Sequence, residues 1–340
     1  MNWNFLMVML IILFSTINRL IHWNEIGDLN TLFPYFILMI PTYIIVVGFN
    51  KMDAKILVAF ICMEAIVVIL EWMLGISSFD SSLAGFRSFQ EGDLAYNQRP
   101  LGISESSSHI AAKLFIGWVL IDFYGFKSKV WWLVKALFVA AIVFTFNRSV
   151  FLSLAIYLVI SQLTEFLKMN YKLENAILGF ISFVFGGVAL AIGGFIYGQK
   201  IIDQVTRNTG TVELTGREYL WQDFGDFIYE NLVFGNNSVK LWLDGYHAHN
   251  SYIEVIATNG IFIAMLYFVL VFRNINKNNW VYVLPILIYG ITQYAFFWGI
   301  SLMDILFWLI LFTSPIKEKN SSLILQPIEQ VPSRKQSLSQ

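Results

Sequence analysis

The sequence predicts an all-α protein, a polytopic membrane bundle of about ten transmembrane helices, and three observations predict it. Of the 340 residues, 57% are hydrophobic and only 13% charged, against roughly 25% charged in a soluble domain. The mean hydropathy is +0.64. Apolar runs close to the length a helix needs to cross a bilayer core recur along the chain. The alternating pattern of a membrane barrel does not occur, so helices are left as the way to satisfy a backbone in lipid.

The expected spans lie near residues 3–18, 31–49, 56–75, 106–124, 130–146, 149–167, 176–197, 250–272, 280–298 and 300–314. The first has neither a basic leader region nor a small-residue cleavage site, so it is expected to be a retained span. The last two are parted only by Gly299. Within the seventh, "GGVALAIGG" (186–194) offers small residues for close helix packing. Lys51, Lys55, Lys127, Lys129, Lys168, Lys172, Arg273 and Lys277 fall in alternate loops. That pattern sets both termini in the cytoplasm. Residues 1–316 then form one membrane domain, and 317–340 a polar cytoplasmic tail expected to be disordered. The outer face receives 19–30, 76–105, the turn at Asn147–Arg148, and the large loop 198–249 that leads into the eighth span.

Several classes of partner drop out. A net charge of −1 argues against nucleic acid. Cys62 is the single cysteine, so neither a disulfide nor a cysteine metal site can form within the chain. No phosphate loop or dinucleotide fingerprint occurs, and no cofactor is expected.

The cations of the outer side are mainly arginines: Arg19, Arg87, Arg99, Arg148, Arg207 and Arg217. A guanidinium grips phosphate oxygens with two parallel bonds, which an ammonium cannot do. The bias points to a phosphate-bearing ligand outside, or to headgroup contacts and loop ion pairs. Glu64 and Lys113 fall inside spans, with Glu71 near a span end and His109 one turn before Lys113. They line a cavity or form a structural ion pair. In "REYLWQDFGDFIYE" (217–230), apolar residues recur near helical spacing. This is read as a helix over the site or one packed on the bundle.

"GYHAHNSYIEVIATNG" (245–260) holds two of the four histidines, His247 and His249, ahead of an apolar run. Ser251 and Glu254 have capping-box spacing, which starts the eighth span near Asn250 or Ser251. A helix N-terminus disfavours imidazolium and attracts anions. A neutral general base beside an anion seat suits transfer of a group from a phosphate leaving group. The competing readings are interfacial histidines bonded to loop carbonyls and a His-x-His zinc site. The zinc reading lacks further ligands, because His22 and His109 sit on separate segments.

"HNSYIEVIATNGIF" resembles the signature of the O-antigen ligase and Wzy-type polysaccharide polymerase family, carried here by His249, Asn250 and Gly260. Ile263 stands where many members have a small residue, Tyr or Thr. "TGREYLWQDFGDFIYENLVFGN" (215–236) and "TFNRSVFLSLAIYL" (145–158) are similar to two arginine-bearing stretches of the same family. The likeness covers the C-terminal half, and about ten spans is slightly short for the family. It implies an inverting, metal-independent glycosyltransferase at the outer face of the bacterial cytoplasmic membrane. Its substrate would be an undecaprenyl-diphosphate-linked oligosaccharide and its surroundings the lipid bilayer, with a chain-length regulator as a further partner. His249 would be the base. Arg148 and Arg217 would contact the diphosphate, helped by His247 and Asn250, with Arg99 and Glu254 in secondary roles. The ligase differs from the polymerase only in its acceptor. A lipid-linked-oligosaccharide flippase is the reading from another class, and it would be expected to show repeats and broken mid-membrane helices.

Overall fold

The computed structural model describes residues 2–22, 29–74, 100–104, 106–145, 147–168, 217–236, 241–293 and 302–313. Within them run eleven helices: α1 (Trp3–Ile21), α2 (Leu29–Gly48), α3 (Lys51–Leu74), α4 (Ser107–Phe123), α5 (Lys129–Thr145), α6 (Arg148–Lys168), α7 (Arg217–Glu230), α8 (Ser251–Asn259), α9 (Ile261–Asn274), α10 (Trp280–Thr292) and α11 (Leu302–Phe312). No strand forms among the described residues, so the fold is all-α. By length and composition α1 and α3 are long and apolar enough to cross a membrane. The expected span 176–197, the tail 317–340, and Arg87, Arg99 and Arg207 lie outside the described residues.

The core is built round α4, whose side chains are buried on all sides from Ile110 to Ile116. Helices α3, α5, α6, α10 and α11 surround it. An apolar stripe cannot separate inside from outside on such a helix, which is how a fully enclosed one reads. At its N-terminus Ser106 caps the helix by accepting the His109 N–H. α1 packs on α2 and α9, and α11 bridges α2 to α4.

α3 is inside out. One stripe at helical spacing, Ile56, Phe60, Met63, Ile66, Leu70 and Met73, is exposed. The opposite stripe, Val58, Ile61, Ala65 and Val68, is buried and includes Glu64 and Glu71. Glu64 pairs with Lys113 of α4 and accepts from the Ser104 hydroxyl at 3.1 Å. Glu71 accepts the N–H groups of Leu101 and Gly102 at 3.0 and 2.7 Å. Of the two readings of these charges, the structural ion pair is the one found. A second, half-buried pair escaped the sequence reading: Lys135 meets Asp122, which also accepts from Tyr157 Oη at 2.8 Å.

The eighth expected span, 250–272, is corrected. It is two helices, α8 and α9, broken at Gly260. Gly260 has φ 79° and ψ 169°, a combination open essentially to glycine alone. Segment 231–236 occupies the break. The Ile261 N–H reaches Leu232 O at 2.8 Å, and the Asn236 N–H reaches Ala257 O at 2.9 Å. Asn18 of α1 closes the junction by donating to Phe234 O at 2.8 Å. A Cβ on Gly260 would collide with the Val233 carbonyl, and one on Gly235 would come within 2.5 Å of Ala257 O. Two backbones meet here without side chains between them, which is why both positions are glycine.

Candidate functional site

The chain enters α8 through Asn250, whose side-chain oxygen accepts the N–H groups of Tyr252 and Ile253 at 2.9 and 3.1 Å. The expected capping box is not made. Asparagine is as good a cap as serine, and it stands one residue earlier. Ser251 is thereby the first helical residue, and its hydroxyl donates to Gln293 O at 2.9 Å. Asn250 also withdraws two N–H groups from the anion seat expected there.

Glu254, released from the helix start, turns to the preceding loop. It is fully buried. One carboxylate oxygen accepts the Leu241 N–H at 2.8 Å, and the other accepts the Ala248 N–H at 3.1 Å. Such charge-assisted bonds are about twice as strong as neutral ones. One buried carboxylate therefore clamps both ends of segment 241–248. Trp221 of α7 adds a third tie, its indole N–H donating to Ala248 O at 2.7 Å.

Between the clamped ends the chain makes a tight hairpin. Leu243 and Tyr246 exchange both backbone bonds at 2.9 Å. Asp244 and Gly245 turn it with φ of 48° and 81°. Paired positive φ values at Asp-Gly are the mark of the hairpin turn that matches strand twist. "WLDGYH" carried that signal in the sequence, and the reading missed it.

His247 and His249 lie ring against ring at the exit of this hairpin, centroids 3.8 Å apart and planes tilted by 41°. The His249 N–H donates to His247 Nδ1 at 3.2 Å. The bond requires a lone pair on that nitrogen, so the His247 proton belongs on Nε2. His249 itself has φ 50°, the left-handed region that histidine enters more readily than most residues.

The arginines reach the same end of the bundle by another route. Arg217 opens α7 and donates through Nη1 to Thr292 O, at 2.8 Å, on the last turn of α10. Arg148 opens α6 directly after Asn147, which caps that helix by accepting the Val150 N–H at 3.1 Å. Asn147 also donates to Ser108 Oγ at 3.0 Å, and Ser108 O accepts from Tyr289 Oη of α10 at 2.9 Å. The closing turn of α10 thus gathers the Asn147–Arg148 turn, Arg217 and, through Gln293 and Ser251, the histidine loop. The terminal carbonyls of a helix lack intrahelical donors, and Arg217 and Ser251 supply two.

Elsewhere, His22 rests on Phe234 at 4.9 Å and donates through Nδ1 to Asn18 O, away from the histidine pair. No group of three or more His, Cys, Asp or Glu poised for a metal forms among the described residues. α7 is helical as expected. Its Phe224 is buried with Leu241, Ala248 and Ala257 in a small satellite core, so α7 packs on the loop that follows it.

Arg148→Lys and Arg217→Lys keep the charge and lose the planar fork. Each is expected to lower turnover at least tenfold at unchanged protein level, measured as product per protein in membranes. Wild-type turnover in both would assign these side chains to structure alone.

Comparison with protein-family models, with curated proteins and with solved structures gives no significant match to the chain. Fold and site together define a class: a chain all-helical in its described residues, whose longest described helix buries carboxylates and exposes apolar side chains, with Arg217 and the histidine-bearing motif bonded to the end of α10.

Proposed function

We propose that this chain is a multi-pass protein of a bacterial cytoplasmic membrane and polymerises polysaccharide as an inverting glycosyltransferase on the outer face. The inverted character of α3 supports the membrane setting, since a continuous exposed apolar stripe over buried charges suits lipid rather than water. The observation that carries the function is the convergence at the end of α10: Arg217 is bonded to Thr292, Ser251 of the histidine motif to Gln293, and the Asn147–Arg148 turn is tied to Tyr289 through Ser108.

In the proposed reaction a sugar hydroxyl of one lipid-linked repeat unit attacks the anomeric carbon of a glycan held on undecaprenyl diphosphate. The new C–O bond forms opposite the breaking bond to the diphosphate, so the configuration inverts. The hydroxyl proton passes to His249. Undecaprenyl diphosphate departs with the bonding electron pair, and Arg148 and Arg217 balance its charge. Positive charge from guanidinium groups removes the need for a metal. The ligase reading differs only in the acceptor.

The break at Gly260 supports the flippase reading, for which a broken helix is expected. Against it, the break is filled by the backbone of 231–236 and bonded shut rather than lining an open path. One experiment separates these readings. Purified protein in liposomes is given the lipid-diphosphate-linked repeat unit with excess EDTA. Elongated glycan at nearly the metal-replete rate is the expected result. Transbilayer movement of the lipid without elongation would favour the flippase, and activity restored only by a divalent ion would revive the zinc reading.

A further inference from the structure

The hairpin that leads to His249 also carries a feature that the proposed transfer does not use. Trp242 is 56% exposed, although its backbone is held rigidly. Leu241, one residue before it, is fixed by Glu254, and Leu243, one residue after it, by the bridge to Tyr246. Trp242 and His247 lie opposite each other across the hairpin, and their rings meet edge to face at 5.5 Å. His247 in turn lies 3.8 Å from His249. Three rings thus run in file from an exposed indole to the proposed base, with Asp244 exposed on the adjoining turn.

An indole face carries negative quadrupole charge. The C–H bonds of a pyranose are polarised positive by the ring and hydroxyl oxygens, so a sugar face stacks on indole, while carboxylate and imidazole edges receive its hydroxyls. We infer that Trp242, with Asp244 and His247 beside it, forms a binding subsite for a pyranose ring of the glycan. That ring adjoins the sugar whose hydroxyl reaches His249. The inference rests on the reading of His249 as the base of a glycosyl transfer. Bilayer anchoring is the other use of a tryptophan at an interface, but here the ring lies edge to face with His247 on a fixed turn that also carries Asp244.

Binding can be tested without catalysis. The probe is the oligosaccharide released by mild acid from the lipid-linked repeat units of a strain lacking this protein. Purified protein in nanodiscs should transfer saturation to the sugar ring protons in NMR. Trp242→Tyr keeps a π-face and should retain the transfer. Trp242→Leu keeps an apolar side chain for lipid contact and should lose it. In elongation assays the leucine variant should raise the apparent KM for the repeat unit about tenfold with kcat little changed. Equal transfer in the leucine variant, or none in the wild type, would overturn the subsite. Equal loss in tyrosine and leucine variants would also overturn it, as damage to the hairpin. Failure of the polymerase reading would show separately, as no elongation by a wild type that binds the sugar.

Discussion

Replacing His249 with alanine is expected to abolish polymer while the protein stays in the membrane at its normal level. The substitution removes the ring and puts alanine at a φ of 50°, which histidine adopts more readily, so protein level is the control. The His249 N–H remains to donate to His247 Nδ1, and Asn250 and Glu254 still hold the helix start and the loop. Loss of general-base catalysis alone typically costs about 10²–10⁴-fold. His247→Ala should cost less, because it removes the acceptor for the His249 N–H and one ring of the pair but leaves the proposed base. The measurement is the polymer ladder in a deletion strain, normalised to protein by blot. A normal ladder from His249→Ala would end the catalytic assignment.

Glu254→Gln is expected to have the second largest effect, greater than His247→Ala. Glutamine has the same shape and one acceptor oxygen, so it can keep only one of the two N–H groups of Leu241 and Ala248. Its amide NH₂ then faces a donor in a fully buried place. An unsatisfied buried donor costs about 1–3 kcal/mol, and here the strain falls on the segment that aims the histidines. In the proposed reaction Glu254 acts as a positioning residue, through the segment that carries the histidines. The variant should lose at least tenfold in kcat with little change in the donor KM, at normal protein level. If kcat and KM both matched the wild type, the clamp would be a matter of stability alone. Spacing by itself had suggested a capping partner, whose loss costs typically about 1 kcal/mol and only loosens a helix end.

The helix start shows where sequence logic stopped. Ser-x-x-Glu is a sound capping pattern, yet Asn250 one place earlier is an equally good cap and takes the N–H groups first. The choice between two adequate caps depends on what else each side chain can reach. Ser251 reaches Gln293, and Glu254 reaches Leu241 and Ala248. Those partners are fixed only once α10 and the hairpin are in place. The Asp-Gly turn, by contrast, is a local signal and was legible. It was overlooked beside the histidines that follow it. The unbroken span over 250–272 failed for a related reason. A lone glycine in an apolar run costs only about 1 kcal/mol in a helix, so nothing local shows that the helix breaks there.

The sequence by itself determined the all-α class and the helical nature of 217–230. It also marked Glu64 and Lys113 as charges that needed either a cavity or a partner, because burial, period and the cost of a lone charge act along the chain or within a turn or two. The tertiary structure alone decided which partners those were. It decided that Lys135 would join Asp122, that the helix would break where the backbone of 231–236 presses on Gly260, and that Arg217, the Asn147–Arg148 turn and the histidine loop would share the last turn of α10. Each of these contacts joins residues distant in sequence, and hydrogen bonds and close packing act only at contact distance, so such a pairing has no period or spacing to be read before the chain has folded.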